Sequence, residues 1–208
     1  MKVYVVNGKQ GIGKTDFAVN LAEALQKQGK VLLLQAKRNS RSNIEDYFQK
    51  DGMITYDIAD YFSGLAPIEK VLVQETSKLD FMISPLMEDK YNFNSADMAN
   101  LFSELAYDFV VIDGLAKNVI PESESIEIVG MDNIADNFDA DAFFINKVTS
   151  DYDIRYDKEI IDSKASRFLG TVKQGEYFGE IINNLTADSK VEIPKIGFFE
   201  KLKSGFKK

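Results

Sequence analysis

Eight residues near the start of the 208-residue chain, Gly8-Lys9-Gln10-Gly11-Ile12-Gly13-Lys14-Thr15, combine three glycines, two lysines and a hydroxyl in a spacing suited to holding an anion. They fit G-x-x-x-x-G-K-[ST] at every position. The glycines let the backbone curl so that successive amides point at one centre, and a helix starting at Lys14 adds partial positive charge there. In such a turn Lys14 reaches the β- and γ-phosphates of a nucleotide, and the Thr15 hydroxyl ligates Mg²⁺. Asp16 follows in the first helical turn, so residues 8–16 form the candidate nucleotide cradle. Far along the chain, Phe109-Val110-Val111-Ile112-Asp113 is an apolar run ending in a carboxylate. A strand ending this way puts Asp113 at the carboxyl edge of a sheet, where it joins Thr15 as a second Mg²⁺ ligand.

The remaining composition narrows the chemistry. There are no cysteines and no histidines. That excludes disulfides, thiolate nucleophiles, Cys-ligated zinc, imidazole acid–base catalysis and the Ser–His–Asp triad. Carboxylates, lysines, hydroxyls, backbone amides and a hard cation remain. The net charge of −8 is unevenly spread. Residues 195–208 carry +4, so residues 1–194 carry −12, and a body this acidic argues against broad nucleic-acid binding. The start shows no secretory signal and no apolar run is long enough to span a bilayer, which predicts a cytoplasmic protein.

The elements that must position these residues are legible as apolar runs. Strands are predicted at Val3–Val6, Val31–Leu34, Leu79–Ser84, Phe109–Ile112, Ile126–Val129, Ala142–Val148 and Phe168–Val172. Several are continuous rather than alternating, as strands buried on both faces are. Helices are predicted from Lys14 to about Gln28, with Phe17, Leu21, Ala24 and Leu25 on one face and Gly29 as the stop, from Asp97 to about Leu105, and from Lys158 to about Arg167. The alternation predicts an α/β fold: a doubly wound, mostly parallel sheet with helices on both faces. One domain is expected over residues 1–192, followed by a basic amphipathic helix over 193–208.

These residues resemble the MinD/ParA group of P-loop ATPases, the deviant Walker A family. Lys9 stands five residues before Lys14, where that family has an extra lysine, with Gln10 in place of a glycine. Tyr107-Asp108-Phe109-Val110-Val111-Ile112-Asp113 is similar to the family's second motif, Y-D-[YF]-x-x-x-D. Ala142-Phe143-Phe144-Ile145-Asn146-Lys147-Val148 is similar to the strand whose Asn contacts adenine, and Phe168-Leu169-Gly170-Thr171-Val172 to the strand that follows. The resemblance spans about residues 1–185. It implies a P-loop NTPase fold, ATP or ADP with Mg²⁺ as cofactors, Asn146 at the base, and a homodimer in which Lys9 reaches the partner's nucleotide, with Lys9 and Lys14 serving catalysis.

One departure bears on chemistry. Relatives usually carry Asp-x-Asp after the second strand; here Gln35 and Lys37 hold those places. An amide orients water but takes no proton. Slow hydrolysis is therefore expected. Lys37, Arg38 and Arg41 are alternatively a γ-phosphate sensor or a solvated basic loop.

After Pro194 the chain reads Lys195-Ile196-Gly197-Phe198-Phe199-Glu200-Lys201-Leu202-Lys203-Ser204-Gly205-Phe206-Lys207-Lys208. Wound at ~100° per residue, Phe198, Phe199, Leu202 and Phe206 share one face, with Ile196 at its border and lysines opposite. That is the pattern of a helix lying in an anionic membrane interface, and it resembles the membrane-targeting helix of MinD-like members of the family. Docking back onto the domain, or onto a protein partner or nucleic acid, are the alternatives. The segment Ser123–Asp141 with Glu122 holds seven acids and no basic residue, read as a solvated helix and loop or a partner-docking face.

The expected function is an ATP-binding dimeric switch that associates reversibly with the inner face of the cell membrane and positions or recruits an assembly through an unknown partner or cargo. Alternatives are a nucleotide-bound scaffold without turnover, similar to atypical pilus-assembly relatives, and a plasmid or chromosome partition ATPase. A bacterial tyrosine kinase fits less well, since the last tyrosine is Tyr177, and a small-molecule ligase or kinase needs a substrate pocket that sequence does not reveal.

Overall fold

The computed structural model describes residues 1–40, 42–87 and 90–196. Its elements are β1 (Lys2–Gly8), α1 (Lys14–Leu25), β2 (Val31–Gln35), α2 (Ile44–Tyr47), α3 (Ile58–Phe62), α4 (Ile68–Val71), β3 (Val73–Gln74), β4 (Leu79–Met82), α5 (Ser95–Glu104), β5 (Phe109–Asp113), β6 (Glu124–Val129), β7 (Ala142–Val148), α6 (Lys158–Ser163), β8 (Arg167–Lys173) and α7 (Gly179–Thr186). The strands form an eight-stranded sheet in the order β3-β4-β2-β5-β1-β6-β7-β8. Among the described pairings only β3 with β4 is antiparallel. The expected α/β class with a mostly parallel sheet is the observed one. By internal contacts the chain divides into two compact units, Met1–Ile128 and Val129–Lys208.

In the first unit β1 lies between β5 and β6. The strand after β1 in sequence pairs on the far side of β5, so the order reverses at β1. A crevice at the carboxyl ends of strands around such a reversal is where α/β sheets hold ligands. All five residues of β2 are buried, as expected for a strand paired on both edges and covered on both faces. One core layer joins Val5, Leu32, Leu34, Val110 and Ile112 to Met98 and Leu101 of α5. Helix α1 packs on β1, β2 and β5. Its buried Phe17, Leu21 and Leu25 form the stripe expected from sequence.

Helix α1 stops at Leu25, earlier than Gln28, and Gly29 closes the turn through its amide to Leu25 O at 3.2 Å. A Cβ on Gly29 would come within 2.5–2.8 Å of the Asp108 side chain, whose Oδ2 accepts from the Lys30 amide. Close approach rather than helix termination alone therefore requires this glycine. Helix α5 starts at Ser95 behind an Asn94 cap completed by Asp97. Helices α2, α3 and α4 and strand β3 had no sequence expectation. They are two to five residues long, too short to show a period. Asp57, fully buried, caps α3 and accepts from the Leu86 amide and from Lys90 Nζ at 2.8 Å; Lys90 also reaches Asp60 at 2.7 Å.

In the second unit β7 and β8 pair in parallel, with register shifts between Phe143 and Ile145 and between Asn146 and Val148. Phe143, Ile145, Val148, Ile161, Phe168 and Ile193 share a core. Helix α6 ends at Ser163, short of Arg167, because Arg167 opens β8. Helix α7, unanticipated, buries Ile181, Ile182 and Leu185 and packs on β8. Residues 193–196 carry no regular secondary structure. The expected amphipathic helix, with Phe198, Phe199, Leu202 and Phe206, lies outside the described residues. No described helix is long and apolar enough to cross a membrane.

Candidate functional site

The turn from β1 into α1 takes the shape its glycines allow. Gly8, Gly11 and Gly13 have φ of 145°, 78° and 102°, values that L side chains rarely adopt. A Cβ at Gly8 would strike Ile128 O at 2.5 Å, whereas one at Gly11 would meet nothing within 4 Å. Gly8 thus seats the turn against β6, and Gly11 faces open space. Gly13 is the N-cap of α1 and has no side chain to satisfy the helix's first amides. Lys14 curls over the turn, its Nζ donating to Lys9 O at 3.1 Å, and the Ile12 amide closes onto the same carbonyl at 3.3 Å. Lys9 and Gln10 are exposed, and Gln10 Nε2 donates to Ser40 Oγ at 3.0 Å. Asp16 accepts from Asn20 Nδ2 through its carbonyl at 2.8 Å.

Parallel register carries Asp113 to the same edge. Val6 of β1 pairs with Asp113 of β5, and Asp113 pairs with Gln35 of β2. Thr15 Oγ1 donates to Asp113 Oδ2 at 2.5 Å, across 98 residues of sequence. Gln35 Nε2 donates to the same oxygen at 3.3 Å. Asp113 Oδ1 is buried and accepts no hydrogen bond. Burial pushes the Asp113 carboxyl above its usual range, against the opposing pull of Thr15, Lys14, Gln35 and Asn39. An orphaned carboxylate oxygen beside a hydroxyl is a donor set that fits a hard divalent cation. Among the described residues no cluster of three or more acidic side chains makes a self-sufficient metal site, which suits a cation completed by phosphate and water.

Lys14 is half-buried, and desolvation lowers its pKa, with Asp113 and Glu127 pulling it up and Lys37 pushing it down further. Glu127 falls both in the acidic segment and in the strand expected at Ile126–Val129. It lies on β6, opposite Asn7 of β1, with its carboxyl raised by burial and restrained by Lys14. Glu124 likewise lies on β6 and pairs with Lys2 at 2.8 Å. The alternation of acidic and apolar residues there is a strand period, and it carries the strand expected at Ile126–Val129 back to Glu124.

The segment after β2 folds onto this edge. Asn39 Nδ2 donates to Thr15 Oγ1 at 2.6 Å, a contact that nothing in residue spacing signals. Gln35, fully buried, accepts the Ile44 amide at 3.4 Å on its other end. Of the three basic residues considered as a phosphate sensor, Arg38 is paired with Glu45 at 2.7 Å, Lys37 is exposed and close enough to act on Lys14, and Arg41 lies outside the described residues. Asn146 belongs to the second unit. It is buried near the end of β7, with its Oδ1 accepting from the Lys147 amide at 2.9 Å, and Lys147 has φ of 60°.

No family model matches the chain. Curated proteins do. It is 28% identical to the septum site-determining protein MinD of Synechocystis over 136 residues, 60% of this chain and 51% of that protein. It is 27% identical to MinD of Bacillus subtilis over 150 residues, 67% and 56%. The chain thus spans about half the length of the curated relatives it matches. Among solved structures, a plasmid partition protein from Borrelia burgdorferi superposes with a TM-score of 0.68 at 20% identity, covering 90% of this chain and 98% of that one. A chain of the MinC:MinD cell division protein complex of Aquifex aeolicus gives 0.68 at 19%, covering 95% and 100%. MinD of Pyrococcus horikoshii complexed with Mg-ADP gives 0.64 at 16%, covering 87% and 84%. At these identities the superpositions establish the fold, and the curated sequences add kinship. The glycine turn, the Asp113 strand and these similarities together support kinship with the MinD/ParA P-loop ATPases.

Proposed function

We propose that the chain is a nucleotide-dependent switch of the MinD/ParA type, serving cell division or partition. Residues 8–16 bind the phosphates of ATP or ADP, Lys14 reaches the β- and γ-phosphates, and Thr15 and Asp113 hold Mg²⁺. The observation that carries this reading is the buried Asp113 carboxylate, hydrogen-bonded to Thr15 on one oxygen and orphaned on the other. Mg²⁺, when bound, neutralises phosphate charge. Lys14 positions the same phosphates, and the glycine turn supplies amides without steric obstruction. The neighbour complexed with Mg-ADP supports this assignment by analogy of fold. Asn146 at the base, and Lys9 reaching a second copy's nucleotide in a homodimer, follow from family resemblance.

Slow hydrolysis belongs to the proposal. Gln35 is held by Asp113 on one side and the Ile44 amide on the other, so its amide is already engaged. This favours, as second reading, a nucleotide-bound scaffold without turnover. The basic aromatic tail, with Ile196, Phe198, Phe199, Leu202 and Phe206, is proposed to bind anionic membrane weakly on one copy and durably on two. MinD in complex with MinC, among the structural neighbours, makes a protein partner the natural expectation.

Calorimetry with Mg-ADP and Mg-ATP tests the core of the proposal. Saturable binding is expected for the intact chain. For Lys14→Ala, loss of charge-assisted contacts to phosphate weakens it by about 100-fold. No saturation with the intact chain, or an unchanged affinity in the variant, overturns the reading.

A further inference from the structure

Thr15 Oγ1 has one proton to give and two lone pairs. The proton goes to Asp113 Oδ2 at 2.5 Å, and one lone pair is taken by Asn39 Nδ2 at 2.6 Å. Asn39 is itself tied forward: its amide donates to Asn43 Oδ1 at 2.7 Å, and its carbonyl accepts from Asn43 Nδ2 at 3.3 Å. Asn43, 5% exposed, is the cap residue of α2, with its amide bonded to Asp46 Oδ2 at 2.8 Å. The next amide, Ile44, donates to Gln35 Oε1, whose Nε2 returns to Asp113. A chain of uncharged amides thus connects both candidate cation ligands to the start of α2. That helix has four residues and no stability of its own, so these ties hold it in place together with the Arg38–Glu45 ion pair and the buried Ile44.

We propose that Asn39 is a positioning residue, a latch that holds α2 against the candidate cation site and lets go when a divalent cation is bound at Thr15. The proposal rests on the nucleotide reading of that site. A cation takes the remaining lone pair of Thr15 Oγ1 and withdraws density from that oxygen, which becomes a poorer acceptor. It also sets a double positive charge near the positive end of the Asn39 amide dipole. Both effects act on the Asn39–Thr15 bond, which ties the segment after β2 to α1, and neither acts on the capping bonds inside α2. Occupancy of the cation site is therefore read out as loosening at residues 43–47. The helix that loosens carries Glu45, the ion-pair partner of Arg38 in the basic loop after β2.

Hydrogen exchange on the full chain decides it, with ADP plus Mg²⁺ against ADP plus EDTA. In the intact chain, amides 43–47 are expected to exchange about three- to tenfold faster with Mg²⁺, the range for losing one neutral hydrogen bond. Asn39→Ala exchanges fast in both conditions. Asn39→Asp keeps the shape but replaces the donor with a carboxylate that is drawn to the cation, so Mg²⁺ slows exchange and the sign inverts. A purely structural asparagine predicts no inversion. Equal exchange at 43–47 in both conditions while residues 8–15 are protected overturns the latch and leaves the nucleotide site standing. A metal-dependent change that survives in Asn39→Ala does the same. Absence of any nucleotide protection at 8–15 overturns the site reading and the latch with it.

Discussion

Replacing Gln35 by glutamate puts a second carboxylate beside Asp113 in a fully buried position and tests the geometry of the site directly. The present contact is an amide donor 3.3 Å from Asp113 Oδ2. Two unit charges at that separation repel by about 5 kcal/mol at an effective dielectric constant of ~20. Taking up a proton on the introduced carboxyl is the less costly route, because it removes the repulsion and restores a donor to Asp113. Protonating a carboxyl of ordinary pKa ~4.3 at pH 7 costs about 4 kcal/mol, and at pH 5 about 1 kcal/mol. The new group has a folded-state pKa raised above its unfolded value. Its protonated form is satisfied at acid pH, and stability is lost as pH rises from about 4 toward the raised pKa. Thermal melts of Q35E against the parent, without metal, should show a deficit of about 8–15 °C at pH 7 that shrinks to about 2–4 °C at pH 5. Mg²⁺ with ADP should recover part of the pH 7 deficit by neutralising the pair. A deficit that is the same at both pH values refutes the placement of Gln35 against Asp113. Recovery absent with Mg²⁺ refutes the assignment of this edge as the cation site.

Single-turnover phosphate release from bound ATP should run about 10²–10⁴-fold below that of relatives with acidic residues at the Gln35 and Lys37 positions; rates equal to theirs would show that another group orders the water. Truncation after residue 194 should abolish pelleting with anionic liposomes in the presence of ATP, and equal pelleting of the intact and shortened chains removes the membrane role. Lys90→Met should destabilise the first unit by about 3 kcal/mol, since it strands the fully buried Asp57 carboxylate; this is the low end for a buried pair because Lys90 keeps some solvent contact. Asp60, although partial burial pushes its carboxyl up, is held below the usual range by Lys90 and the Asp57 backbone. Its contribution is present above pH ~4 and disappears as pH falls through the lowered value, so Lys90→Met should flatten the acid limb of a stability–pH profile.

Residue order alone determined the glycine turn after β1, the Asp113 strand and the α/β class. Each rests on local physics: glycines at positions requiring positive φ, a lysine and threonine at a helix start, and apolar runs short enough only for buried strands. The stripe of α1 and the limits of β7 were legible for the same reason, because period and length suffice over seven or more residues. Tertiary structure decided what spacing along the chain does not encode. Thr15 meets Asp113 across 98 residues because β1 and β5 lie in parallel register, and Gln35 joins them because β2 pairs on the other side of β5. Glu127, inside the strand expected at Ile126–Val129, comes near Lys14 only because β6 is paired with β1. Helices α2 to α4 exist only because packing and capping bonds support turns too short to form by propensity. Asn39 and Asn43 are ordinary loop asparagines in the sequence. They become a link between the candidate cation site and α2 only when the segment after β2 is folded back over the turn, since a hydrogen bond needs both partners within about 3 Å and one-dimensional order brings Asn39 and Thr15 no nearer than 24 residues.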